Sequence, residues 1–375
     1  MTGTPLAPIL HLVWNLIRGG TEGQCARTAM RLARGGWPQR VGVSRREGFF
    51  LEAVEQTCGP VYELRIRAML RPGTGYEIGR LARFIRREGN ALVHAWDADA
   101  AIFGAAAAML ADVPLVTSRR DLGEIYAPRK LALMRWADRR ARAVVVNARA
   151  IADAPVCRHM EADRIHVIPN ILDLPEFDAR AKAPAAAVPE LGPGRWIAMV
   201  ARLDPEKDVP TLMRAMPAIL KECPDARFVI VGDGRERGAL EQQAAHMGVA
   251  AQTRFLGECN EVPALLRQCA AGVLTPNRNE GLSNTIMEYM AAGLPVVATD
   301  CGGNRELVAE GRTGHIVPPG DSAALAERLV ALLRDPARAK ALGDAGRAVI
   351  ETTHQPDVIA DRFAALYRSI LTPNA

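Results

Sequence analysis

The sequence predicts an α/β protein built from two doubly wound, Rossmann-like domains, each with a parallel sheet. Three observations carry this prediction. Short apolar segments alternate with amphipathic helical segments, the apolar segments are rich in Val, Ile and Ala without polar alternation, and a stretch rich in Pro, Ala and Gly interrupts the pattern near the middle. Strands that are apolar on both faces are typical of parallel sheets covered by helices. The length of 375 residues also exceeds one ordinary core and suits two domains.

Strands are expected in both halves of the chain, with helices of period 3.6 between them. The expected strands are residues 9–14, 40–44, 91–94, 115–117, 143–146, 165–168, 196–200, 228–231, 254–256, 272–275, 295–299 and 314–317. Clear helical segments are 210–223 and 322–335, and the last segment, 357–370, is also amphipathic.

The domain boundary is expected within residues 174–194, which include the linker-like stretch KAPAAAVPELGPG. The first domain is therefore expected at 1–178 and the second at 190–355. In doubly wound sheets, ligands bind at the carboxyl ends of the strands. Two such domains facing each other predict a cleft, so candidate site residues are expected in the loops that follow the strands.

Charge is unevenly distributed along the chain. Residues 1–180 contain 26 Lys and Arg against 19 Asp and Glu, whereas residues 181–375 contain 21 against 23. The basic stretches 65–87 and 129–142 suit anionic lipid headgroups or nucleic acid, or are solvated helix faces, and these alternatives stay open. Aromatic residues make up only 5% of the chain, which disfavours a nucleic-acid-binding protein that stacks bases.

The remaining composition favours a reducing cytoplasm. No apolar run reaches the roughly 18 residues of a membrane span. The N-terminal segment lacks the basic region and cleavage site of a signal peptide. The seven cysteines are scattered and none forms a CxxC pair, so neither disulfides nor a zinc site is expected.

The loop after strand 196–200 carries Arg202 and Lys207. A guanidinium and an ammonium on one short loop suit a diphosphate, although solvated surface side chains are the alternative. The loop at 232–238, GDGRERG, has the spacing GxGxxxG rather than GxGxxG. It is interpreted as a tight strand-to-helix turn, which disfavours a dehydrogenase.

Two glutamates, Glu280 and Glu288, flank the predicted start of a helix in EGLSNTIMEYMAAGLPVVATD. Ser283 or Asn284 is expected to cap this helix, whose first N–H groups and dipole favour an anion. Gly281 allows close approach of the backbone to a ligand. Two carboxylates beside a diphosphate repel it unless they bind hydroxyl groups on its flanks. This arrangement predicts a ligand of the form sugar–diphosphate–nucleoside.

In the first half, Gly19 and Gly20 follow the first strand and precede a helix expected to begin near Gln24. Glycines at this position let backbone N–H groups meet a phosphate, although an ordinary loop is an equal alternative.

Taken together, these residues resemble the retaining nucleotide-sugar glycosyltransferases of family 4, which have the GT-B fold. The resemblance covers nearly the whole chain, and its strongest element is the E-x7-E motif from Glu280 to Glu288. Supporting motifs are GGTE (19–22), VIPNILD (167–173), ARLDPEK (201–207), VGDG (231–234), FLG (255–257), GGNRELV (302–308) and GRTGHIVPPGD (311–321).

The resemblance implies the following roles. Arg202 and Lys207 hold the donor diphosphate, Glu288 binds the ribose, and Glu280 contacts the donor sugar. The nucleobase lies near the loop 257–262. The resemblance and the loop patterns together place these residues at the donor: Gly19, Gly20, Gly234, Gly257, Val262, Gly281, Leu282, Ser283, Asn284 and Glu288. It further implies that the first domain binds the acceptor, that helix 356–375 crosses back onto it, and that neither a cofactor nor a metal is required.

One departure concerns a histidine that many relatives carry after the fourth strand of the first domain. Here the region reads TSRRDLG (117–123), with Arg119 or Arg120 in its place. A guanidinium donates hydrogen bonds but is no general base at neutral pH. The hypothesis is that Arg119 orients the donor or the leaving phosphate; the alternative is a structural arginine paired with Asp121. His94 is an acceptor-side candidate, although a core histidine is favoured.

The predicted function is retaining transfer of a sugar, with UDP as the default carrier, to a glycan or lipid-linked acceptor in cell-envelope or exopolysaccharide synthesis. The expected location is the cytoplasm, peripherally at the inner face of the membrane through the basic first domain. The alternatives are a nucleotide-sugar 2-epimerase of the same fold, which consumes donor without acceptor, and a basic nucleic-acid-binding protein.

Overall fold

The computed structural model describes residues 6–66, 72–184 and 187–372. Its strands form two fully parallel sheets, of seven strands in the order β3-β2-β1-β4-β5-β6-β7 and of six strands in the order β10-β9-β8-β11-β12-β13. The strands are β1 (Ile9–Val13), β2 (Gln39–Val43), β3 (Tyr62–Glu63), β4 (Leu92–Ala95), β5 (Leu115–Arg119), β6 (Ala143–Val146), β7 (Ile165–Val167), β8 (Arg195–Val200), β9 (Ala226–Val231), β10 (Thr253–Gly257), β11 (Cys269–Leu274), β12 (Val296–Thr299) and β13 (Gly314–Val317).

Helices connect successive strands, as parallel pairing requires. The helices are α1 (Gly20–Arg34), α2 (Leu51–Cys58), α3 (Pro72–Arg87), α4 (Ala98–Ala111), α5 (Pro128–Arg140), α6 (Arg149–Ala152), α7 (Leu174–Arg180), α8 (Val209–Glu222), α9 (Arg237–His246), α10 (Val262–Leu266), α11 (Asn284–Ala291), α12 (Asn304–Leu307), α13 (Ser322–Arg334), α14 (Pro336–Thr353) and α15 (Pro356–Leu371). The prediction of two doubly wound parallel sheets is confirmed.

Every predicted strand is present, with ends that agree to within three residues. The largest difference is at β11, whose first residues pair irregularly with β8 between Cys269 and Ala271. Strand β3 was not predicted because its two residues, Tyr62 and Glu63, are too short to form an apolar pattern.

The chain divides into two compact units. The first unit runs to Ile171 and includes the residues from Pro356 onward, and the second comprises Leu172–Gln355. Helix α7 lies within the stretch predicted as a linker and belongs to the second unit. Asp173 caps it by accepting a hydrogen bond from the Glu176 N–H, and Arg347 forms an ion pair of 2.6 Å with Asp178.

The C-terminal helix α15 completes the core of the first unit. Its residues Phe363 and Tyr367 are almost fully buried and pack in one cluster with α1 and the strands of the sheet. The Tyr367 hydroxyl lies 2.6 Å from His94 Nδ1 on β4. Helix α15 therefore covers the middle of the sheet, whereas the carboxyl ends of the strands lead into the loops.

Candidate active site

In the second unit, an ion pair joins the loops that follow β8 and β11. Lys207 Nζ lies 2.6 Å from Glu280 Oε2, and both side chains are mostly buried, at 20% and 10% exposure. The two loops are also joined through their backbones, since the Asn277 N–H donates to the Glu206 carbonyl. The Thr275 hydroxyl donates to the carbonyls of Lys207 and Asp208. The geometry brings these two predicted donor residues together and balances their charges.

A close backbone contact fixes the position of Glu280. Gly302, in the loop after β12, has a φ of +53°, and a Cβ built on it would lie 1.9 Å from the Glu280 carbonyl oxygen. The Gly303 N–H donates to the Gly281 carbonyl over 3.0 Å. Only glycine allows this approach, so the Gly-Gly turn is a support for the Glu280 loop.

Helix α11 begins as predicted, with Ser283 as its cap: the hydroxyl accepts a hydrogen bond from the Ile286 N–H. Glu288 is half-buried in the middle of this helix. Tyr289 anchors the helix to the sheet, because its hydroxyl accepts from the Val200 N–H and donates to the Val273 carbonyl. The Tyr289 ring fills the space above Gly272, where a Cβ would lie 2.3 Å from the ring. These contacts of Tyr289 therefore fix α11 to the sheet. The start of this helix, which is predicted to favour an anion, lies at the carboxyl ends of the strands.

Arg202 differs from Lys207 in its surroundings. Its side chain is 71% exposed and lies 3.0 Å from Asp204 and 3.3 Å from Glu206. Exposed ion pairs of this kind contribute little to stability. The guanidinium is therefore exposed and only weakly held by these carboxylates, and its diphosphate role stays a prediction.

The loops after β9 and β10 contact the Arg202 loop and each other. A Cβ on Gly234 would lie 2.5 Å from the Leu203 carbonyl oxygen, so this glycine permits loop packing, as the tight-turn interpretation expects. The Gly257 carbonyl accepts from the Gly232 N–H over 2.7 Å, and Val262 begins α10. The donor roles of Gly234, Gly257 and Val262 remain predictions.

In the first unit, Gly19 is the N-cap of α1 and offers no side-chain cap. The helix begins at Gly20, four residues before the predicted start, because Thr21, Glu22 and Gly23 continue the helical backbone. The Glu22 carboxylate folds back on Gly19, where a Cβ would lie 1.9 Å from Glu22 Oε2. The Glu22 carboxylate therefore lies at the start of α1, where the helix dipole stabilises a negative charge.

The structure contradicts the predicted role of Arg119. Its side chain is only 2% exposed, and Nη2 lies 2.5 Å from Asp138 Oδ1. Burial acts to raise the pKa of the Asp138 carboxyl, but the charge of Arg119 together with the hydrogen bonds from His159, Thr117 and Arg119 outweighs it, so the pKa is lowered. Arg119 is a structural arginine, as the alternative held, although its partner is Asp138 rather than Asp121. Asp121 instead accepts from the Tyr126 hydroxyl and the Gly123 N–H.

The neighbouring Arg120 lies at the carboxyl end of β5. Its Nη2 donates to Asn170 Oδ1 over 2.5 Å, and its guanidinium carbon lies 5.1 Å from the centre of the Trp96 ring. Asn147, directly after β6, donates to the same Asn170 oxygen. Sequence reasoning missed Asn147 and Trp96, although each is the first residue after a predicted strand or lies within two residues of one.

His94 is a core histidine, as favoured. It is fully buried between the Tyr367 hydroxyl and the Ser118 hydroxyl, and burial lowers its pKa well below the usual range. His11, on the adjacent β1, accepts from Trp96 Nε1 and contacts Gln39, and burial lowers its pKa to about 4. Both rings are therefore neutral at neutral pH, and their hydrogen bonds go to other side chains of the first unit.

Two family models match the chain. The model described as Glycosyltransferase Family 4 matches residues 18–176, and the model described as Glycosyl transferases group 1 matches residues 194–335. Together these matches span about four fifths of the chain and fall one in each sheet-containing half. The chain belongs to glycosyltransferase family 4.

Two of the curated relatives are named as mannosyltransferases. The chain is 33% identical over 235 residues to a phosphatidyl-myo-inositol mannosyltransferase of Mycobacterium leprae, covering 61% of this chain and 60% of that protein. It is 34% identical over 181 residues to a GDP-mannose-dependent monoacylated alpha-(1-6)-phosphatidylinositol monomannoside mannosyltransferase of Corynebacterium glutamicum, covering 46% and 47%. The chain thus spans about half the length of these relatives.

Solved structures establish the GT-B fold for this family 4 chain. HepE of Anabaena in complex with UDP-glucose matches with a TM-score of 0.83 at 24% identity, covering 97% of this chain and all of that one. Sucrose-phosphate synthase of Thermosynechococcus elongatus matches with a TM-score of 0.79 at 19% identity, covering 97% and 99%.

Within the described part of the chain, every helix is too short or too polar to cross a lipid bilayer.

Proposed function

We propose that the chain is a retaining glycosyltransferase that moves a hexosyl group from a nucleoside diphosphate sugar to a glycan or lipid-linked acceptor. The acceptor belongs to cell-envelope or exopolysaccharide synthesis. Donor binding is assigned to the second unit and acceptor binding to the first. Membership of family 4 supports the reaction class, and the charged strand ends of the second unit support the assignment of the donor.

The observation that carries this proposal is the Lys207–Glu280 pair beside the start of α11. A lone carboxylate would repel a diphosphate, whereas this one is neutralised by an ammonium 2.6 Å away. The ammonium keeps further N–H donors for phosphate oxygens, because –NH₃⁺ has three. The carboxylate keeps acceptor capacity for sugar hydroxyls. One pair therefore serves both ends of a sugar–phosphate bond.

In the proposed reaction, the acceptor hydroxyl oxygen attacks the anomeric carbon on the face from which the diphosphate leaves. The bond from the anomeric carbon to the phosphate oxygen breaks, its electron pair stays on that oxygen, and the same phosphate takes the acceptor proton. Lys207 and Arg202 stabilise the charge that develops on the leaving group. Glu288 holds the ribose and Glu280 orients the sugar, so positioning supplies much of the remaining rate. No metal is assigned to this step.

UDP is the proposed carrier. HepE, a structural neighbour, was solved with UDP and with UDP-glucose, whereas the Corynebacterium glutamicum relative is named for GDP-mannose. A panel of UDP-, GDP- and ADP-sugars in a thermal unfolding assay ranks these carriers. A ligand at about 100 times its dissociation constant adds about 2.7 kcal/mol to the free energy of unfolding.

An activity assay distinguishes retaining sugar transfer from epimerisation of the donor and from inverting transfer. We expect release of UDP from a stabilising donor to depend on an acceptor glycan or glycolipid and to continue in excess chelator. The anomeric proton of the product should show the donor's configuration by NMR. Donor consumption without acceptor, yielding a 2-epimer, would favour the epimerase, and inversion at the anomeric carbon would reject retention.

We further propose that the first unit contacts the membrane surface peripherally. Helix α5 exposes Arg129, Arg135, Arg139 and Arg140 together with Leu133, which is 39% exposed. Clustered cations of this kind favour anionic lipid surfaces, with roughly 1 kcal/mol for each cation near the surface. We expect the chain to sediment with vesicles containing phosphatidylglycerol and not with phosphatidylcholine alone. Charge reversal at Arg135 and Arg139 should abolish this difference; equal binding to both vesicles, or to neither, would reject the contact.

A further inference from the structure

Four adjacent strands of the first sheet end along one edge, and each is followed within two residues by a polar or aromatic side chain. In the order β1, β4, β5 and β6, the side chains are Asn15, Trp96, Arg120 and Asn147. Three strand spacings of about 4.8 Å give this row a length of about 14 Å. That length suits a small saccharide that carries one charged group.

Arg120 is the cation of this row. Among the described residues, no carboxylate lies within ion-pair distance of its guanidinium, which donates instead to the neutral amide of Asn170. Glu22 and Cys25 of α1 are close enough to act through space but form no ion pair with it. Burial lowers the pKa of Arg120 to about 10. A half-buried guanidinium without a counter-ion is costly, and an incoming oxyanion would relieve that cost.

Arg119 provides an internal contrast with Arg120. The two residues are consecutive on a strand end and so point to opposite faces of the sheet. Arg119 is buried and neutralised by Asp138 at 2.5 Å. Within the part of the chain that the structure describes, the fold therefore provides an ion-pair partner for Arg119 and none for Arg120.

Two amide oxygens in the row are also without partners. Asn15 Oδ1 and Asn147 Oδ1 have no hydrogen-bond donor among the described residues, although the side chains are only 7% and 3% exposed. Buried polar atoms are satisfied in most native structures, so exceptions call for a ligand or water. An amide oxygen accepts from a hydroxyl group, whereas the guanidinium donates to an oxyanion.

We propose that this row is a binding site for a phosphate-bearing saccharide, with Arg120 on the phosphate and the oxygens of Asn147 and Asn15 on hydroxyl groups. Trp96 supports the guanidinium from beneath. The inference rests on the proposed function for one step only, namely that the phosphate belongs to a substrate of sugar transfer. Its source is either a phosphorylated acceptor or the diphosphate of the donor.

The test is isothermal titration of the full chain with three probes in separate arms: glucose 1-phosphate, glucose and UDP. We expect Arg120→Gln to weaken binding of glucose 1-phosphate by about tenfold or more, because a charge-assisted fork is lost. Arg120→Lys should bind glucose 1-phosphate with an affinity between those of the unmodified chain and Arg120→Gln. Lysine keeps the positive charge but lacks the planar guanidinium with its paired N–H donors. Arg158→Gln is the matched control: Arg158 is an exposed arginine of the same unit, and its loss should leave binding within about twofold.

The arms also identify the source of the phosphate. UDP affinity unchanged by Arg120→Gln assigns the site to an acceptor, and a parallel loss of UDP affinity assigns it to the donor. Asn147→Ala should weaken glucose as well as glucose 1-phosphate, because a hydroxyl acceptor is removed.

The proposal is overturned if Arg120→Gln binds both glucose 1-phosphate and UDP as the unmodified chain does, or if the unmodified chain binds neither probe. If Arg120→Gln does not fold, Arg120→Lys with undiminished binding has the same force. Failure of the proposed function gives a different pattern: no UDP binding, with glucose 1-phosphate binding still dependent on Arg120.

Discussion

The carboxyl ends of the two sheets are built in different ways. In the second unit, backbone groups of separate loops touch each other through glycines, and the charges of Lys207 and Glu280 balance. In the first unit, Arg120 and Asn147 keep hydrogen-bonding capacity that no side chain among residues 6–66, 72–184 and 187–372 uses, above a core that contains buried histidines. One edge is therefore organised before any ligand arrives, whereas the other still has a charge and amide oxygens to satisfy.

This difference indicates a division of labour. Pre-organised loops suit a ligand that must be held in one geometry, as a reacting sugar nucleotide must. Unsatisfied polar groups suit the recognition of one class of partner, because a mismatched ligand leaves them buried without hydrogen bonds.

The largest effect is expected from Gly302→Ala. The substituted residue would have an unfavourable φ of +53° and a Cβ 1.9 Å from the Glu280 carbonyl oxygen. We expect the free energy of unfolding to fall by about 4 kcal/mol and sugar transfer to be lost, because the Glu280 loop must move. Urea unfolding and donor turnover measure the two effects.

Gly311→Ala is the matched control for this variant. Gly311 has a similar φ of +68° but nothing within 4 Å of a built Cβ. Only the backbone cost of about 1 kcal/mol should appear. Equal losses in the two variants would show that the Glu280 contact is not the cause.

Acid should weaken the first unit. The pKa of His11 is about 4 in the folded chain and 6.5 in the unfolded chain, so between these values the unfolded chain binds a proton that the folded chain does not. The contribution of His11 to the free energy of unfolding is therefore fully present above pH 6.5. It is lost as the pH drops towards 4, and the loss is about 3 kcal/mol. The lowered pKa of His94 acts in the same direction.

Hydrogen exchange with mass spectrometry, corrected for intrinsic rates, locates this effect. Between pH 7 and pH 4.5 we expect β1 and β4 to lose protection before β8 and β11. Loss of protection in the second unit first would contradict the assignment of acid sensitivity to the buried histidines.

The Lys207–Glu280 pair should show a measurable coupling energy. A double-mutant cycle with Lys207→Met and Glu280→Gln is expected to give about 1 to 2 kcal/mol, because the pair is mostly buried. The control cycle is Lys340 with Asp344, an ion pair at 74% and 60% exposure, for which about 0.3 kcal/mol or less is expected. Equal couplings in the two cycles would mean that Lys207 and Glu280 do not pair in solution.

The smallest effect is expected from Tyr289→Phe. It removes the hydroxyl that bridges the Val200 N–H and the Val273 carbonyl while keeping the ring above Gly272. A loss of about 1 kcal/mol is expected in thermal unfolding, since a buried N–H loses its acceptor. Tyr76→Phe, at a side chain that is 65% exposed, should be neutral; a neutral Tyr289→Phe would remove the anchoring role.

Most of the fold was predictable because parallel strands buried on both faces appear in the sequence as apolar runs. The Ser283 cap was predictable because capping is a local interaction, settled within three residues. The start of α1 was not, since glycine-rich segments leave the backbone free to continue a helix.

The partners of charged side chains were much less predictable. Arg119 and Arg120 are adjacent in sequence, yet only the three-dimensional fold brings Asp138 of α5 to one of them. The Lys207–Glu280 pair joins residues on loops after different strands, and no local pattern encodes that contact. The strand ends in the sequence therefore indicated where a candidate site lies, whereas the partners of its charged side chains could be found only from the structure.

The central claim is that the loops at the strand ends of the second unit bind the nucleoside diphosphate of a sugar donor. Hydrogen exchange of the full chain with and without saturating UDP tests it most directly. The predicted result is slowed exchange in residues 201–208 and 275–288, with UDP affinity about tenfold lower in Lys207→Met. Binding of UDP without protection of these two loops, or no binding of UDP, GDP or ADP at all, would contradict it.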